Sequence, residues 1–296
     1  FESSRVLLLF DGVRLNNAIY RSGHSQYSLS VDPFFVKKTD IQTNSTSVFF
    51  GSDALGGSFN FIPVSSKEKE GFSVFFSSSF SSFNRGAHSG FGFSFSSDSF
   101  SYLASFVVGK SSDMKMGKRR LHQDSLWGLV PFYFKDGVLK ENKEENIQPN
   151  TSFGSFGFFQ SSSISFKKNR RLDFTHLSSS SSFYPRFDKL NDTLEGGIPK
   201  FSLWEYGPQK LSFLKASYSS LLPSFLGEKQ TTFFSFQKTE ESRHTQKNND
   251  PFSFHRKEAV DAFLFKSSFS KKTKYASFLY GIDFWHNNVS SDAYSQ

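Results

Sequence analysis

The chain has 296 residues, a formal net charge of +8, 41 phenylalanines and no cysteine. Without cysteine it has no disulfide framework, no thiolate metal site and no cysteine nucleophile. No stretch approaches the roughly 20 consecutive apolar residues that a membrane-spanning helix requires. The composition therefore excludes a helical membrane protein, and the length allows one large all-β domain or two ordinary ones.

The positive charge concentrates in short clusters, such as Lys167–Arg171 and Lys271–Lys274. Each cluster separates two strand-like runs, which is where a solvated hairpin turn is expected. A basic, aromatic β protein that binds nucleic acid is an alternative, and it requires Lys167–Arg171 to lie on a sheet face. We expect turns, and therefore no nucleic-acid partner.

The first 64 residues predict a small two-sided sheet. The run RVLLLFDGVRL predicts a strand followed by a turn at Asp11 and Gly12. The run TDIQTNSTSVFFGSDALGGSFNFIP predicts two further short strands around a cluster of glycines. A charged stretch at residues 65–70 follows, so we place a domain boundary there and expect domains at residues 1–66 and 71–296.

After Gly71 the chain alternates large apolar residues with serine and glycine. In GFGFSFSSDSFSYLASFVVG the phenylalanines share one face of a predicted hairpin, and small residues form the other. This pattern predicts a mainly β fold with about nine strands, near residues 72–83, 90–96, 99–109, 151–166, 171–182, 209–221, 229–240, 258–269 and 274–286. An apolar outer face and a small, polar inner face are typical of an antiparallel transmembrane β-barrel.

The predicted connections support a barrel. Those at residues 97–98, 167–170, 222–228 and 270–273 are short, whereas those at 110–150, 183–208 and 241–257 are long. An up-and-down membrane barrel has short turns at one rim and long loops at the other. The alternative is a surface-displayed β-sandwich adhesin or binding domain, in which a second sheet would cover the phenylalanines.

The N-terminal motifs resemble the second half of the plug domain of TonB-dependent outer-membrane receptors. The resemblance is carried, in order and spacing, by Asp11-Gly12, Asp32-Pro33, Asp40-Ile41, residues 50–54 (FGSDA) and Gly56-Gly57. Segments 113–120, 184–192, 204–210, 240–244 and 280–295 are similar to barrel segments of receptors from the Bacteroidota. Two departures are Asn44-Ser45, where the family has Gly-Pro, and Lys37–Asp40, where it has an acidic and arginine pattern.

The resemblance implies a partial plug domain followed by an incomplete barrel of about nine strands in the outer membrane. It also implies energy-coupled uptake of a scarce nutrient, such as a ferric siderophore or haem, with the TonB complex and outer-membrane lipid as partners. We expect the TonB-contacting segment to be missing from this chain, and we expect no cofactor. Because nine strands do not close a ring, we expect that the chain alone does not transport. The plug motif comprises Asp11, Gly12, Gly51, Ser52, Ala54, Gly56 and Gly57.

If the Asp11-Gly12 turn leads to the plug apex, the run RLNNAIYRSGH contains the ligand-binding candidates. Arginine and tyrosine suit an anionic, aromatic chelate through charge-assisted hydrogen bonds and stacking, although the same residues could only shape the loop. The candidates are Arg14, Asn16, Asn17, Tyr20, Arg21 and His24. No nucleophile elbow, zinc-protease or phosphate-loop motif is present, so no catalytic residue is predicted. His88, His122 and His244 lie in or beside the predicted outer connections, where ligation of haem or a chelated metal is an alternative. We expect them to be solvated loop residues and predict no metal site.

Overall fold

The computed structural model describes residues 6–15, 18–19, 30–43, 46–65, 70–117, 119, 128–166, 169–221 and 227–296. Strands account for 67% and helices for 6% of the structure, which confirms the mainly β prediction. Within the described ranges no helix has the length and apolar character needed to cross a membrane.

The N-terminal sheet has four strands in the order β2-β1-β4-β3. They are β1 (Val6–Phe10), β2 (Val13–Arg14), β3 (Val36–Gln42) and β4 (Gly57–Pro63). A 3-10 turn, Pro33–Phe35, precedes β3, and a short helix, α1 (Ser47–Phe50), connects β3 to β4. Strand β1 is parallel to β4, and the other pairs are antiparallel.

The turn between β1 and β2 is the predicted one. Asp11 and Gly12 have φ angles of 51° and 76°, both in the left-handed region. A two-residue hairpin turn of type I′ needs positive φ at both central positions, which is why Asp-Gly favours it. The Gly12 N–H also donates to Asn60 Oδ1 at 3.0 Å, which attaches the turn to β4.

The rest of the chain forms one large sheet with short additions. Its strands and helix, in chain order, are β5 (Gly71–Ser81), β6 (Gly86–Ser96), β7 (Phe100–Ser111), β8 (Met114–Lys115), β9 (Phe132–Lys135), β10 (Val138–Glu141), β11 (Ile147–Gln148), β12 (Phe153–Phe166), β13 (Arg170–Ser181), β14 (Tyr184–Pro185), α2 (Phe187–Leu190), β15 (Phe201–Tyr206), β16 (Lys210–Ser220), β17 (Lys229–Lys247), β18 (Phe254–Lys272) and β19 (Ser277–Ser295). A second 3-10 turn lies at Glu195–Gly197.

We call the nine long strands the wall. Their order is β5-β6-β7-β12-β13-β16-β17-β18-β19, with antiparallel neighbours throughout. Strands β14 and β15 pair beside the C-terminal end of β17, and we call this end of the wall its upper end. Each of the nine predicted strands is present. Strands β5 and β19 are the two edges, and among the described strands neither has a second neighbour, so the barrel is not closed here.

The outer face of the wall carries the predicted phenylalanines. Phe91 of β6 lies opposite Phe106 of β7, and the two side chains are 46% and 43% exposed. The same strands turn Gly92 and Ser105 to the inner face, where both are buried. In the described part of the chain no second sheet covers the phenyl rings. The β-sandwich alternative is therefore wrong.

The core lies between the N-terminal sheet and the inner face of the wall. Phe10 of β1 packs edge-to-face on Phe159 of β12 and Phe213 of β16, with ring centroids 6.1 and 5.2 Å apart. Phe35 stacks on Phe159 at 5.7 Å. All four rings are fully buried. The first domain therefore packs inside the wall, as a plug does.

Two expectations about the upper wall are wrong. Strands β17, β18 and β19 extend well beyond the predicted limits of 229–240, 258–269 and 274–286, and the predicted long connection at 241–257 shortens to residues 248–253. Beyond Glu240 both faces are polar, so the apolar alternation that located the strands disappears. The backbone pairing nevertheless continues to Thr245 and Phe254. The predicted long connections at 110–150 and 183–208 contain the short elements β8–β11, β14, α2 and β15.

Candidate functional site

A cavity of about 400 Å³ lies between the N-terminal sheet and the upper ends of β12 and β13, where the long connections emerge. Its walls are mostly apolar and carry a few hydroxyl and amide groups, which is the usual composition of a small-molecule site. The lining includes Val31, Asp32, Val36, Phe61, Val107, Ser155, Ser179, Ser180, Ser181, Tyr184 and Gln209.

Gln209 and Tyr184 form the polar corner of this cavity. The Tyr184 hydroxyl donates to Gln209 Oε1 at 3.3 Å, and burial raises the pKa of Tyr184, so the phenol remains protonated. Gln209 is 4% exposed, and its Nε2 has no hydrogen-bond partner in the described part of the chain. A buried amide without a partner is costly, and a ligand or ordered water in the cavity would satisfy it.

Asp32 attaches the cavity floor to the wall. One carboxylate oxygen accepts from the Phe34 N–H at 2.9 Å and caps the 3-10 turn, while the other lies 2.8 Å from His88 Nε2 in β6. His88 is therefore a partner of the N-terminal domain and not the solvated loop residue expected from the sequence. The Asp32-Pro33 motif positions Phe35 in the core.

Small residues on the inner face of the wall allow the N-terminal sheet to pack closely against it. A Cβ added at Gly157 would lie 2.7 Å from the Phe35 ring and 2.8 Å from Val107. Both distances are shorter than ordinary carbon contacts, so an alanine here would push the plug away from β12. Gly157 faces inward because it alternates with the outward-facing Phe156 and Phe158.

The Asp11-Gly12 turn docks on β16. Lys215 Nζ donates to Asp11 Oδ2 at 2.8 Å and to the Asp11 carbonyl at 2.6 Å, and it lies 4.8 Å from the centre of the Phe233 ring. The Lys215 side chain is only 10% exposed. A paired and largely buried charge of this kind fixes the orientation of the turn.

Arg14 is held by the plug itself and is not among the residues that line the cavity. Its guanidinium donates to the Ser52 carbonyl at 2.5 Å, approaches Asp53 Oδ2 at 3.5 Å and lies over the Trp285 ring at 5.7 Å. Gln237 Nε2 donates to the Arg14 carbonyl. The other ligand candidates, Asn16, Asn17, Tyr20, Arg21 and His24, lie outside the described residues, as does His122.

The remaining plug-motif residues lie between the end of α1 and the start of β4. Gly51 ends α1, the Ser52 carbonyl accepts from Arg14, and Ala54 is fully buried against Leu7 and Leu9. Gly57, preceded by Gly56, begins β4 with a φ of 125°, and a Cβ there would clash with the Gln42 carbonyl. The glycine cluster therefore lets β4 pass directly beside the end of β3, an approach that a side chain would block.

Aromatic and charged residues of the predicted loop ends form the rim above the cavity. The Arg186 guanidinium lies 5.0 Å from the Trp204 ring and donates to the Tyr206 hydroxyl at 3.2 Å. The Arg186 side chain also pairs with Asp188 at 2.8 Å, which raises the pKa of Arg186. Tyr184 packs on Tyr206, so this cluster connects directly to the polar corner of the cavity.

Sequence reasoning missed the cavity lining because serine is present on almost every inner face. Nothing in the local sequence distinguishes Ser179 from Ser163 or Ser235. It also missed a contact between His244 and His255, which lie on neighbouring strands. Within the described ranges no group of three histidine, cysteine, aspartate or glutamate side chains could hold a metal ion.

Residues 1–58 match the family model described as the TonB-dependent Receptor Plug Domain. No curated protein matches the chain in sequence. The part of the chain that matches this family includes all residues of the sequence-predicted plug motif and the candidates from Arg14 to His24.

Solved structures share the fold of the whole chain. The hemophore receptor HasR of Serratia marcescens, solved with its hemophore HasA and heme, is 13% identical with a TM-score of 0.69, and the match covers 100% of this chain and 39% of HasR. The FrpB iron transporter of Neisseria meningitidis is 13% identical with a TM-score of 0.71, covering 97% and 42%. The siderophore receptor PiuA of Acinetobacter baumannii is 13% identical with a TM-score of 0.60, covering 97% and 39%. The chain thus spans about two fifths of the length of these proteins.

Proposed function

We propose that this chain is part of a TonB-dependent outer-membrane receptor, whose plug-domain model matches residues 1–58, and that it supplies the ligand-facing part of a receptor for a scarce nutrient. The nutrient class we propose is an iron chelate, either a ferric siderophore or haem. Residues 1–66 would act as the plug and residues 71–296 as part of the barrel.

The observation that carries this proposal is the cavity between the plug and the upper wall, with the unpartnered Gln209 amide in its lining. The cavity combines apolar surface with serine hydroxyls, which suits a chelate with an aromatic body and peripheral oxygen atoms. The Tyr184 ring in its lining offers a stacking surface for the same type of ligand. Other structures of this fold, HasR, FrpB and PiuA, are described by their names as haem, iron and siderophore proteins.

We also propose that the segment from Arg14 to His24 forms part of the ligand-binding surface. In this proposal Tyr20 stacks on the chelate and Arg21 supplies a charge-assisted hydrogen bond. Arg14 acts indirectly, because its guanidinium already binds the Ser52 carbonyl. The narrower likeness to receptors of the Bacteroidota stays a prediction.

Energy coupling through TonB would have to displace the plug from the wall. The contacts to break include the Asp11 pair with Lys215 and the hydrogen bond from Lys266 Nζ to the Phe49 carbonyl. The buried rings of Phe10 and Phe35 would also have to leave the inner face of the wall. We propose TonB as the partner because residues 1–58 match the plug domain of TonB-dependent receptors.

The experiment uses the intact outer-membrane protein that contains this sequence. Purified protein in detergent is titrated with haem, a ferric catecholate and a ferric hydroxamate, and binding is followed by quenching of tryptophan fluorescence. We expect saturable binding of one class. Ser179→Trp, which fills the cavity, should weaken it by at least tenfold.

The matched control is Ser178→Trp on the opposite face of β13, which should leave binding unchanged. Growth of the host bacterium on the same compound as its iron source should fail in the deletion strain and in the Ser179→Trp strain. Absence of binding for all three ligand classes, or unchanged affinity in Ser179→Trp, would contradict the proposal.

A further inference from the structure

His244 and His255 lie directly opposite each other on β17 and β18, and their Nδ1 atoms are 2.6 Å apart. Both side chains project from the outer face, because they follow the alternation that turns Phe234, Phe236 and Phe263 outward. Tyr294 of β19 is the next residue in the same row, and its ring stacks on His255 at 5.1 Å. The pair is therefore separate from the plug and from the cavity described above.

The pair lies above the phenylalanine belt. At about 3.3 Å per residue, His244 is roughly 25 Å along β17 beyond Phe236, and polar residues begin at Lys238. A space of about 570 Å³ opens beside the two imidazoles. Its lining includes Glu205 and Asp292, which share the outer face with the two histidines, as well as Lys210 and Lys257.

Hydrogen bonds around His244 determine which ring nitrogen carries its proton. The Ser242 hydroxyl donates to the Gly207 carbonyl, so the Ser242 oxygen is available only as an acceptor. His244 Nε2 lies 2.9 Å from that oxygen and 3.2 Å from the Gly207 carbonyl. Because both neighbours accept, Nε2 carries the hydrogen and Nδ1 carries a lone pair.

For His255, the Ser253 hydroxyl selects between two tautomers. Its oxygen lies 2.7 Å from His255 Nε2 and 3.3 Å from the Gln296 carbonyl, and its single hydrogen is donated to one of these two acceptors. When the hydrogen goes to Nε2, the His255 Nδ1–H donates to His244 Nδ1; when it goes to Gln296, Nε2 donates to Ser253 and the two Nδ1 atoms present lone pairs 2.6 Å apart. The second tautomer is the one that a cation between the rings would stabilise.

We propose that His244 and His255 form a two-histidine site for a divalent transition-metal ion, with Cu²⁺ bound most tightly. Neutral imidazole is a common ligand of copper, nickel and zinc, and copper leads the affinity order of these ions. Histidine ligands characteristically donate their other ring N–H to a neighbouring oxygen, and the Gly207 carbonyl and the Ser253 oxygen are positioned to accept from His244 and His255. The remaining coordination positions are open to water or to an external ligand.

The geometry needs only a small adjustment. With metal–nitrogen distances of about 2.0–2.1 Å, adjacent imidazole nitrogens on one ion lie about 3 Å apart. The rings would separate by a few tenths of an ångström to admit the ion. Without a metal ion, the alternative is a hydrogen bond from the His255 Nδ1–H to His244 Nδ1.

The test titrates the intact protein in detergent with CuCl₂, NiCl₂ and ZnCl₂ in a non-chelating buffer near neutral pH. We expect one Cu²⁺ per chain by calorimetry and an electron paramagnetic resonance spectrum with nitrogen splitting from two imidazoles. His244→Gln and His255→Gln should each abolish this signal. His286→Gln, an exposed histidine on the outer face of β19, is the matched control and should retain it.

Ser253→Ala tests the site without removing either of the two proposed metal ligands. Loss of the oxygen that accepts from His255 Nε2 should weaken copper affinity by about 10- to 100-fold. Circular dichroism of each variant shows whether the sheet is intact. Copper binding that survives in both histidine variants would overturn the proposal. It would also be overturned if the NMR resonances of the two imidazoles report a hydrogen bond between the rings and do not respond to any of the three metals.

Discussion

The two faces of the wall are built from the same strands but meet different surroundings. On the outer face Phe156 of β12 is 49% exposed, whereas on the inner face Phe159 of the same strand is fully buried by Phe10 and Phe35. Between them Gly157 leaves room for the Phe35 ring. The comparison teaches that one residue type can serve both faces: on the inner face a folded domain encloses the ring, and on the outer face no other part of the described chain covers it.

The largest expected effect comes from removing a ring on the inner face. Phe159→Ala should lower the free energy of unfolding by about 3–5 kcal/mol, because the plug encloses the ring and its removal leaves a cavity. Guanidinium unfolding of the intact protein in micelles measures this change. Phe156→Ala on the outer face should have a much smaller effect, because detergent occupies the vacated space. Equal losses for the two variants would show that the faces do not differ in this way.

The next effect tests the outer face directly. Phe234 is 63% exposed, and Phe234→Lys should cost about 2–4 kcal/mol in lipid vesicles, because the charge enters the hydrocarbon layer. On a water-facing surface the same change would be neutral or favourable. Urea unfolding in vesicles measures the sign, with Phe234→Leu as the apolar control. A neutral result for Phe234→Lys would contradict a lipid-facing surface.

The smallest of the three effects concerns the close approach of plug and wall. Gly157→Ala should destabilise the protein by about 1–3 kcal/mol, because the new methyl group meets the Phe35 ring. In Gly154→Ala, three residues earlier in β12, the added methyl group makes only an ordinary contact at 3.6 Å. Protease cleavage of the plug at low protease concentration should increase in the first variant alone. Similar cleavage rates in the two variants would argue against the close contact.

Much of the fold follows from local patterns. Alternation of phenylalanine with serine located all nine wall strands, and Asp11-Gly12 located the first hairpin turn. Both signals are local, since strand period and turn geometry depend on a few neighbouring residues. The pattern failed above Glu240, where polar residues occupy both faces and only backbone pairing with the neighbouring strand maintains β17.

The candidate site was less accessible to sequence reasoning. Arg14 was interpreted as a ligand residue because arginine follows the predicted turn, but its partners are the Ser52 carbonyl and the Trp285 ring, far away in the chain. His88 and His244 were expected to be solvated, yet they contact Asp32 and His255. These contacts depend on how distant strands align, and a single sequence carries no record of that alignment.

The amino-acid sequence by itself determined that this protein is a β structure with one phenylalanine face, one small-residue face and a glycine-rich N-terminal domain, because each of these properties is encoded in residues a few positions apart. Only the tertiary structure decided which serines line the cavity, which cation holds Asp11 and which histidines meet. Those pairings bring together residues separated by up to two hundred positions, and they depend on sheet register and on the docking of the plug inside the wall.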